Sequence, residues 1–264
     1  MTKIILCCAL VAPAMYSTTV AAAWDIGGGA EMYSWVEITS AAGETRKPKE
    51  LGFRKAFSFN WEQDDVRDVM LGYRGKVYLG TVNYDTYIQM NGSPNDGDPV
   101  STTTQYLGMT HEGQMTYRSS FGSYRLDYVG AAGWDWWKRT IGYSQVEDYS
   151  ILFVRGGIAF DQPARGSGWH GGGGLKYPFF TREDSHLDAQ GFNSNPILTP
   201  GKDISFYAEI SYRISKQLDV VGYYDSWRFS KSNVVISSNS SGSFHIWQPE
   251  SSMDAIGLKA MFSF

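Results

Sequence analysis

Apolar and polar side chains alternate with a period of two along most of the chain beyond position 24. In the stretch DISFYAEISYRIS, Phe206 and Ile210 fall on one face, whereas Glu209 and Arg213 fall on the other. Alternation of this kind is typical of β-strands whose two faces meet different surroundings. No apolar run in this part reaches the roughly 20 residues that a membrane-spanning helix needs. The pattern therefore predicts an all-β protein.

The alternating segments predict about ten strands, with twelve as the alternative count. Their approximate limits are 26–38, 50–61, 68–84, 104–118, 123–137, 149–162, 168–181, 203–213, 218–230 and 253–264. Connections after even-numbered strands are short. Those after odd-numbered strands are long and polar, the most extended being 85–103, 182–202 and 231–252. Outer-membrane barrels sort their connections in this way, and a water-soluble sandwich has no reason to do so. We therefore expect a transmembrane antiparallel up-and-down β-barrel with short periplasmic turns and long extracellular loops.

The chain ends within one of these strands, with Leu258 and Phe262 on its apolar face and Phe264 as the last residue. An open strand edge is costly in lipid, because its backbone N–H and C=O groups find no partner there. We therefore expect the last strand to pair with the first. A terminal Phe resembles the C-terminal signature of bacterial outer-membrane barrels. This resemblance implies that the barrel-assembly machinery binds the chain through Phe264.

Aromatic residues make up 15% of the chain, and many lie near the ends of the predicted strands. Rings with a polar edge favour the two membrane interfaces, so we expect two aromatic girdles. On the long-loop side the candidates are Trp35, Tyr84, Trp134, Trp136, Phe179, Trp227 and Phe229. On the short-turn side they are Trp61, Tyr117, Tyr124, Trp169, Tyr212 and Phe264.

Residues 1–23 have the features of a secretion signal: Lys3, a short apolar run and a small-residue site before position 24. We expect cleavage there, which leaves residues 24–264 as the barrel domain. Cys7 and Cys8 both lie in the signal, so we expect no disulfide and no cysteine metal site. A net charge of −4 gives no reason to expect a nucleic-acid partner. The expected location is the outer membrane of a Gram-negative bacterium, among membrane lipid and lipopolysaccharide.

If the apolar faces meet lipid, the charged faces line the lumen. The predicted lumen charge network contains Glu31, Glu37, Arg54, Arg74, Lys76, Arg125, Asp127, Arg155, Glu209, Arg213 and Lys259, with Glu112, Asp135 and Lys176 on the same faces. A barrel of about ten strands is barely wider than one of about eight, which side chains fill, and far narrower than a porin of about 16. We expect these charges to pair and to stiffen the barrel, although a narrow pore for small solutes stays possible. No cofactor and no metal site is predicted.

One stretch suggests chemistry. The segment GGLKYPFFTREDSHLD, with Asp184 and His186, is similar to part of the omptin family of ten-stranded outer-membrane proteases, as are YRLDYVGAAG and GLKAMFSF. Omptins carry an Asp-x-His pair at the outer end of a strand and an Asp-x-Asp pair across the barrel mouth, and together these activate a water with His as general base. Here the second pair reads Asn83, Tyr84, Asp85, so an amide replaces one carboxylate.

Asn83 stands where the omptin pattern has a carboxylate, and its amide cannot accept a proton from water. We therefore expect a non-catalytic barrel that is structural, binds through its surface loops, or conducts small solutes. The alternative is an omptin-like endopeptidase that uses Asp184, His186 and Asp85.

Overall fold

The computed structural model describes residues 22–41, 44–63, 68–87, 97–121, 124–142, 145–161 and 168–264. Ten strands form the barrel wall: β1 (Ala22–Ala41), β3 (Lys49–Gln63), β4 (Val69–Tyr87), β5 (Pro99–Phe121), β6 (Tyr124–Ile141), β7 (Gln145–Asp161), β8 (Gly168–Asp184), β10 (Ser205–Ser215), β11 (Leu218–Phe229) and β14 (Glu250–Ser263). Outside this wall lie β2 (Glu44–Arg46), β9 (Ile197–Leu198), β12 (Val235–Asn239), β13 (Gly242–Ile246) and a 3₁₀ helix (Leu187–Gln190). The predicted signal segment lies outside the described residues except for its last two positions, which begin β1.

The barrel is closed and antiparallel throughout. Strands β1 and β14 pair from Asp25↔Ser263 to Ile38↔Glu250, and β10 pairs with both β8 and β11. The Phe264 N–H donates to the carbonyl of Trp24 at 2.9 Å, so pairing continues to the last residue. The predicted fold class is therefore confirmed: no strand edge of the barrel wall is left open to lipid.

The outer wall is apolar over a broad belt. Phe53 is 71% exposed, Leu258 62% and Phe264 79%, and Ile210 also points outward. Monomers in water rarely expose so many large apolar side chains over one continuous surface, so this belt requires lipid around it. Among the described residues, no helix is long and apolar enough to cross a membrane.

Strands β1 and β3 to β8 are longer than the pattern predicts, whereas β10 and β11 are not. Strand β5 has 23 residues, whereas about 9–11 suffice for a transmembrane strand. Residues 142–144 alone connect β6 to β7, where a connection over 138–148 was expected. Most of the extra length in β4 to β8 lies on the outer side, where the outward-facing side chains become polar. We call the part of the barrel from the level of Glu50, Tyr84 and Glu183 outward the outer extension.

The glycine run in β8 brings neighbouring backbones close together. A Cβ on Gly174 would lie 2.1 Å from the carbonyl oxygen of Gly156, and one on Gly172 would lie 2.8 Å from that of Ile158. Contacts under 3.0 Å would force the strands apart. The run is therefore part of a wall strand in which side chains would force neighbouring strands apart.

Candidate functional site: the two halves of the lumen

Aromatic side chains fill the lumen in the outer half of the barrel. Trp137 stacks on Tyr149 with ring centroids 4.9 Å apart, and Trp35 meets Tyr149 edge-on at 5.6 Å. All three are at most 1% exposed, so the barrel axis is blocked at their level. We call the full set the aromatic plug; its members are Tyr33, Trp35, Tyr78, Tyr106, Trp137, Tyr149, Phe153, Trp227 and Phe229.

A buried ion pair lies against the inner side of the plug. Both Arg54 and Glu31 are almost fully buried, and Arg54 Nη2 lies 2.5 Å from Glu31 Oε1. The guanidinium is held over the rings of Tyr33 at 3.8 Å and Tyr78 at 4.1 Å. Lys76 Nζ donates to the second Glu31 oxygen at 3.3 Å. Each charge thus has close partners, which a buried ion pair requires if it is not to destabilise the fold.

A second ionic cluster lies in the outer extension, around Arg139. Its guanidinium donates to Glu147 at 2.5 Å and to Glu37 at 2.9 Å, and Nη1 lies 3.8 Å from Glu50 Oε1. Glu183 completes the group. We call these five residues the Arg139 cluster; all are at most 6% exposed. Four carboxyl groups around one guanidinium cannot all be neutralised by it, so protons must supply the rest.

The pKa values of two glutamates in the cluster are raised accordingly. Burial raises the pKa of Glu183 well above its usual range, and the neighbouring Glu147 carboxylate adds to the rise. Burial likewise raises the pKa of Glu50, against the opposing effect of Arg139. Glu50 accepts hydrogen bonds from the hydroxyls of Tyr106 and Thr104. The outer half is therefore dry, aromatic and short of positive charge.

The inner half of the lumen is different: it holds a polar cavity of about 600 Å³, which we call the vestibule. The cavity runs from Trp227 and Asp135 at its outer end to Gln63 and Arg213 at the periplasmic strand ends. Eight basic and seven acidic residues line it: Arg74, Lys76, Arg118, Arg125, Arg155, Lys176, Arg213, Lys259, Glu62, Glu112, Asp127, Asp135, Glu209, Asp219 and Asp225. The numbers of positive and negative side chains in the lining are therefore nearly equal.

Ion pairs organise these charges. Arg213 donates to both oxygens of Asp219, at 3.1 and 3.3 Å. Arg74 and Lys259 share Glu209, each at 3.8 Å. The other pairs are Arg125–Asp127 at 3.0 Å, Arg155–Glu112 at 2.6 Å and Lys176–Asp225 at 2.5 Å. Because the lining charges pair with one another, the vestibule presents a stiff, hydrated wall with no strong preference for either sign of charge.

The structure places every predicted lumen charge inside the barrel. Glu31, Glu37 and Arg54 are buried in the outer half, and Arg74, Lys76, Arg125, Asp127, Arg155, Glu209, Arg213 and Lys259 line the vestibule. Sequence reasoning missed Glu50, Glu62, Arg118, Arg139, Glu147, Glu183, Asp219 and Asp225. Arg139, Glu147 and Glu183 lie beyond the predicted strand ends, and continuing the alternation by a few residues would have found them.

The predicted outer aromatic girdle needs correction. Trp35 and Trp227 are fully buried, Phe229 is 1% exposed and Tyr84 9%, and all four point into the lumen. Phe179 does face outward at 48% exposure. The reason is strand parity, because Trp35 is in phase with Glu31 and Glu37, which were themselves assigned to the lumen. On the periplasmic side, the expected girdle residues Tyr117, Trp169, Tyr212 and Phe264 are exposed.

The residues of the suspected protease site do not converge across the mouth. His186 Nε2 lies 2.7 Å from Asp148 Oδ2 and 3.7 Å from Asp184 Oδ1. In β8 the side chain of Glu183 points into the lumen, so that of the next residue, Asp184, points away from it. Asp85 alternates with buried Tyr84 and is exposed, accepting a hydrogen bond from Ser101 at 2.6 Å. Three strands, β5, β6 and β7, separate Asp85 from Asp184.

His186 has a backbone φ of 48°, the only positive φ of a non-glycine residue in the described ranges. Its ring is about a third exposed. The Asp184 carboxylate accepts a hydrogen bond from the side chain of Asn195 at 2.5 Å and a second one from Arg182 at 3.3 Å. Within the part of the chain that the structure describes, no group of three His, Cys, Asp or Glu side chains is placed to hold a metal ion.

Comparison with solved structures identifies the architecture of the barrel. The crystal structure of the outer membrane protease OmpT from Escherichia coli matches with a TM-score of 0.54 and 12% identity, over 95% of this chain and 99% of that one. The fold is that of a bacterial outer-membrane barrel. Together with the apolar belt, this fold indicates an integral outer-membrane location, as expected from the sequence.

Other solved structures match over most of their length but with lower structural similarity. The transport unit of the autotransporter AIDA-I from Escherichia coli has a TM-score of 0.42 at 9% identity, over 97% of this chain and 94% of that one. The translocator domain of NalP from Neisseria meningitidis has a TM-score of 0.41 at 8% identity, over 94% and 90%. No protein-family model matches the sequence, and no curated protein does.

Proposed function

We propose that this protein is a non-catalytic outer-membrane barrel, closed at rest, that presents its outer extension as a binding surface. The observation that carries the proposal is the aromatic plug. Trp35, Trp137 and Tyr149 are excluded from solvent inside the wall, and Arg54 is buried against the plug's inner side. A diffusion pore would instead need a continuous wet path with polar walls. Among the alternatives of brace, binder and narrow pore, the plug disfavours the pore.

Two described segments of the outer extension, the one after β8 and the β12–β13 hairpin, are joined into one surface. Asn193 N–H donates to the carbonyl of Ser238 at 2.8 Å, and Phe192 packs edge-on against Phe244 at 5.6 Å. The β12–β13 hairpin is thereby fixed to the segment after β8. Ile236 is 64% exposed on this hairpin. Apolar side chains displayed above the lipid on a rigid support favour a role in binding.

Single-channel recording in planar bilayers at acidic pH tests the closed state. Wild-type protein should give no steps, whereas Trp35→Ala/Trp137→Ala should conduct because two rings leave the axis. The matched control is Trp134→Ala/Trp136→Ala, which removes two outward-facing rings at a similar level. Heat-modifiable migration on a gel verifies that each variant is folded. Steps from wild-type protein equal to those of the plug variant would refute the proposal.

Proteolysis is the second candidate, favoured by the contact between His186 and Asp148. A His–Asp pair can activate water. The outward position of Asp85 weighs against an omptin-like arrangement. Folded protein should leave a basic peptide intact. Cleavage that disappears in His186→Ala and in Asp148→Asn would replace the non-catalytic proposal.

We also propose that membrane lipid and lipopolysaccharide surround the apolar belt and that the assembly machinery binds the strand ending at Phe264. The exposed terminal ring supports the second partner. Phe264→Ser should lower the amount of folded protein in cells without changing the stability of purified, refolded barrel. An equal loss in both settings would indicate a purely structural role for Phe264.

A further inference from the structure

Glu183 is a buried carboxyl group that forms no ion pair with a Lys or Arg of the described residues. Its side chain is 2% exposed, and it lies opposite Tyr149 in the pairing of β7 with β8. Oε2 accepts no hydrogen bond within the described residues. An ionised carboxylate in such a position would be strongly destabilising, whereas a protonated one is tolerated.

The guanidinium of Arg139 is already committed to other carboxylates. Glu147 and Glu37 each accept one of its N–H groups at 2.9 Å or less, and its Nη1 points toward Glu50. Among the described residues, no Lys or Arg besides Arg139 contacts this cluster, so ionisation of Glu183 would add a negative charge that no described cation neutralises. The titratable and charged groups that act on Glu183 are Glu147 and Tyr149 from β7, Arg139 from β6 and Glu37 from β1. Glu50 from β3 and Tyr106 from β5 lie on the other side of the cluster, next to Arg139 and Glu37.

Two rings of the plug donate hydrogen bonds to these carboxyl groups. Tyr149, which stacks on Trp137, donates its hydroxyl to Glu147 at 3.2 Å. The indole N–H of Trp35 donates to Glu37 at 2.9 Å. Repulsion within the Arg139 cluster would therefore displace the rings that block the axis. On the inner side of the plug lies the vestibule, whose outer end is lined by the plug residue Trp227.

We propose that the outer half of the lumen is a proton-dependent gate, closed while the Glu183 carboxyl holds its proton and opened to small cations when that proton is lost to water. The inference rests on the proposed function, in which the resting barrel is closed. Opening would join the outer medium to the vestibule. The four carboxylates left at the constriction favour cations over anions.

The direction of the pH dependence follows from the cluster. A carboxyl group whose pKa is raised in the closed state stabilises that state at low pH and ceases to do so as the pH rises through the raised value. Wild-type protein should therefore be silent in acid and conduct in alkali, with the change at the raised pKa of Glu183.

The experiment is single-channel recording of the full-length folded barrel from acidic to alkaline pH, with potassium chloride gradients to read ion selectivity. Glu183→Gln keeps the shape of the side chain and fixes it as neutral, so it should stay silent throughout. Glu250→Gln removes a carboxylate on the outward face of β14 at the outer end and should behave as wild type. Difference infrared spectra report protonation separately, through a protonated-carboxyl band that Glu183→Gln lacks.

Cation-selective steps that appear on raising the pH, and that are absent in Glu183→Gln, would support the gate. Silence at every pH while the carboxyl band disappears would overturn it and leave the closed barrel intact. Conductance that is present at every pH in wild type would instead refute the closed barrel itself. A Glu183→Gln response identical to wild type would also overturn the gate.

Discussion

The two halves of the lumen use charge in opposite ways. In the outer half, Arg54 and Glu31 are excluded from water and held between rings, so each depends on its partner. In the vestibule, Arg213 and Asp219 are paired with one side still wet. One barrel thus contains a dry core and a hydrated cavity in series. Loss of one partner of an ion pair lowers the free energy of unfolding more in the dry core than in the hydrated cavity.

The largest expected effect comes from removing one partner of the dry pair. Arg54→Gln leaves Glu31 buried without its main counter-ion, and loss of one partner in such a pair costs about 3–5 kcal/mol. We expect that decrease in the free energy of unfolding, measured by urea titration in lipid vesicles. Arg54→Met/Glu31→Met should recover much of it. If the double variant were as unstable as the single one, ring packing rather than charge would explain the loss.

Overpacking the plug should have the next largest effect. A Cβ on Gly108 would lie 2.4 Å from the ring of Tyr78, which Arg54 and the wall hold in place. Gly108→Ala should destabilise the barrel by about 1–3 kcal/mol. Gly130→Ala is the control, because a Cβ there meets no atom within 4 Å in the described structure. Equal effects of the two variants would indicate that the plug is loosely packed.

The pH dependence of stability distinguishes the halves without any recording of conductance. Burial raises the pKa of Glu183, so the folded state binds its proton more tightly than the unfolded state does. Wild-type stability should then fall as the pH rises through that raised value. The thermal midpoint of Glu183→Gln should change less over the same pH range. Parallel curves for the two proteins would exclude Glu183 as the titrating group.

The smallest effect is expected in the vestibule. Arg213 is 41% exposed in its pair with Asp219, and half-exposed pairs contribute about 0–1 kcal/mol. Arg213→Gln should therefore cost no more than that, and the cost should shrink further at high salt. A salt-independent loss as large as that of Arg54→Gln would show that the two halves are alike.

The aromatic residues illustrate how far the pattern could be followed. Trp35 was assigned to the girdle because it stands near a strand end, yet its parity with Glu31 and Glu37 already indicated the lumen. Enrichment near strand ends is a weaker rule than the period of two, because a one-residue shift moves a side chain to the other face. Where the two rules disagree, parity is the better guide in this barrel.

Strand ends were predicted less well than strand positions. Arg139 and Glu147 were placed in a loop, although they face each other in the β6–β7 ladder. The membrane requires only part of each strand to be apolar, so the extension above it carries polar residues on both faces and the alternation weakens. A pattern of apolar residues therefore loses its signal where the outer extension begins.

Alternation along the chain was sufficient to predict a closed ten-stranded barrel, its lipid-facing wall and most of its lumen charges. The reason is that a wall between lipid and an enclosed interior allows each position only one side. Which charges meet, and which part of the lumen stays wet, depends on partners such as Glu31 and Tyr223, which lie 192 positions apart. Such contacts follow from the tilt and stagger of strands around a closed cylinder, which no local pattern contains.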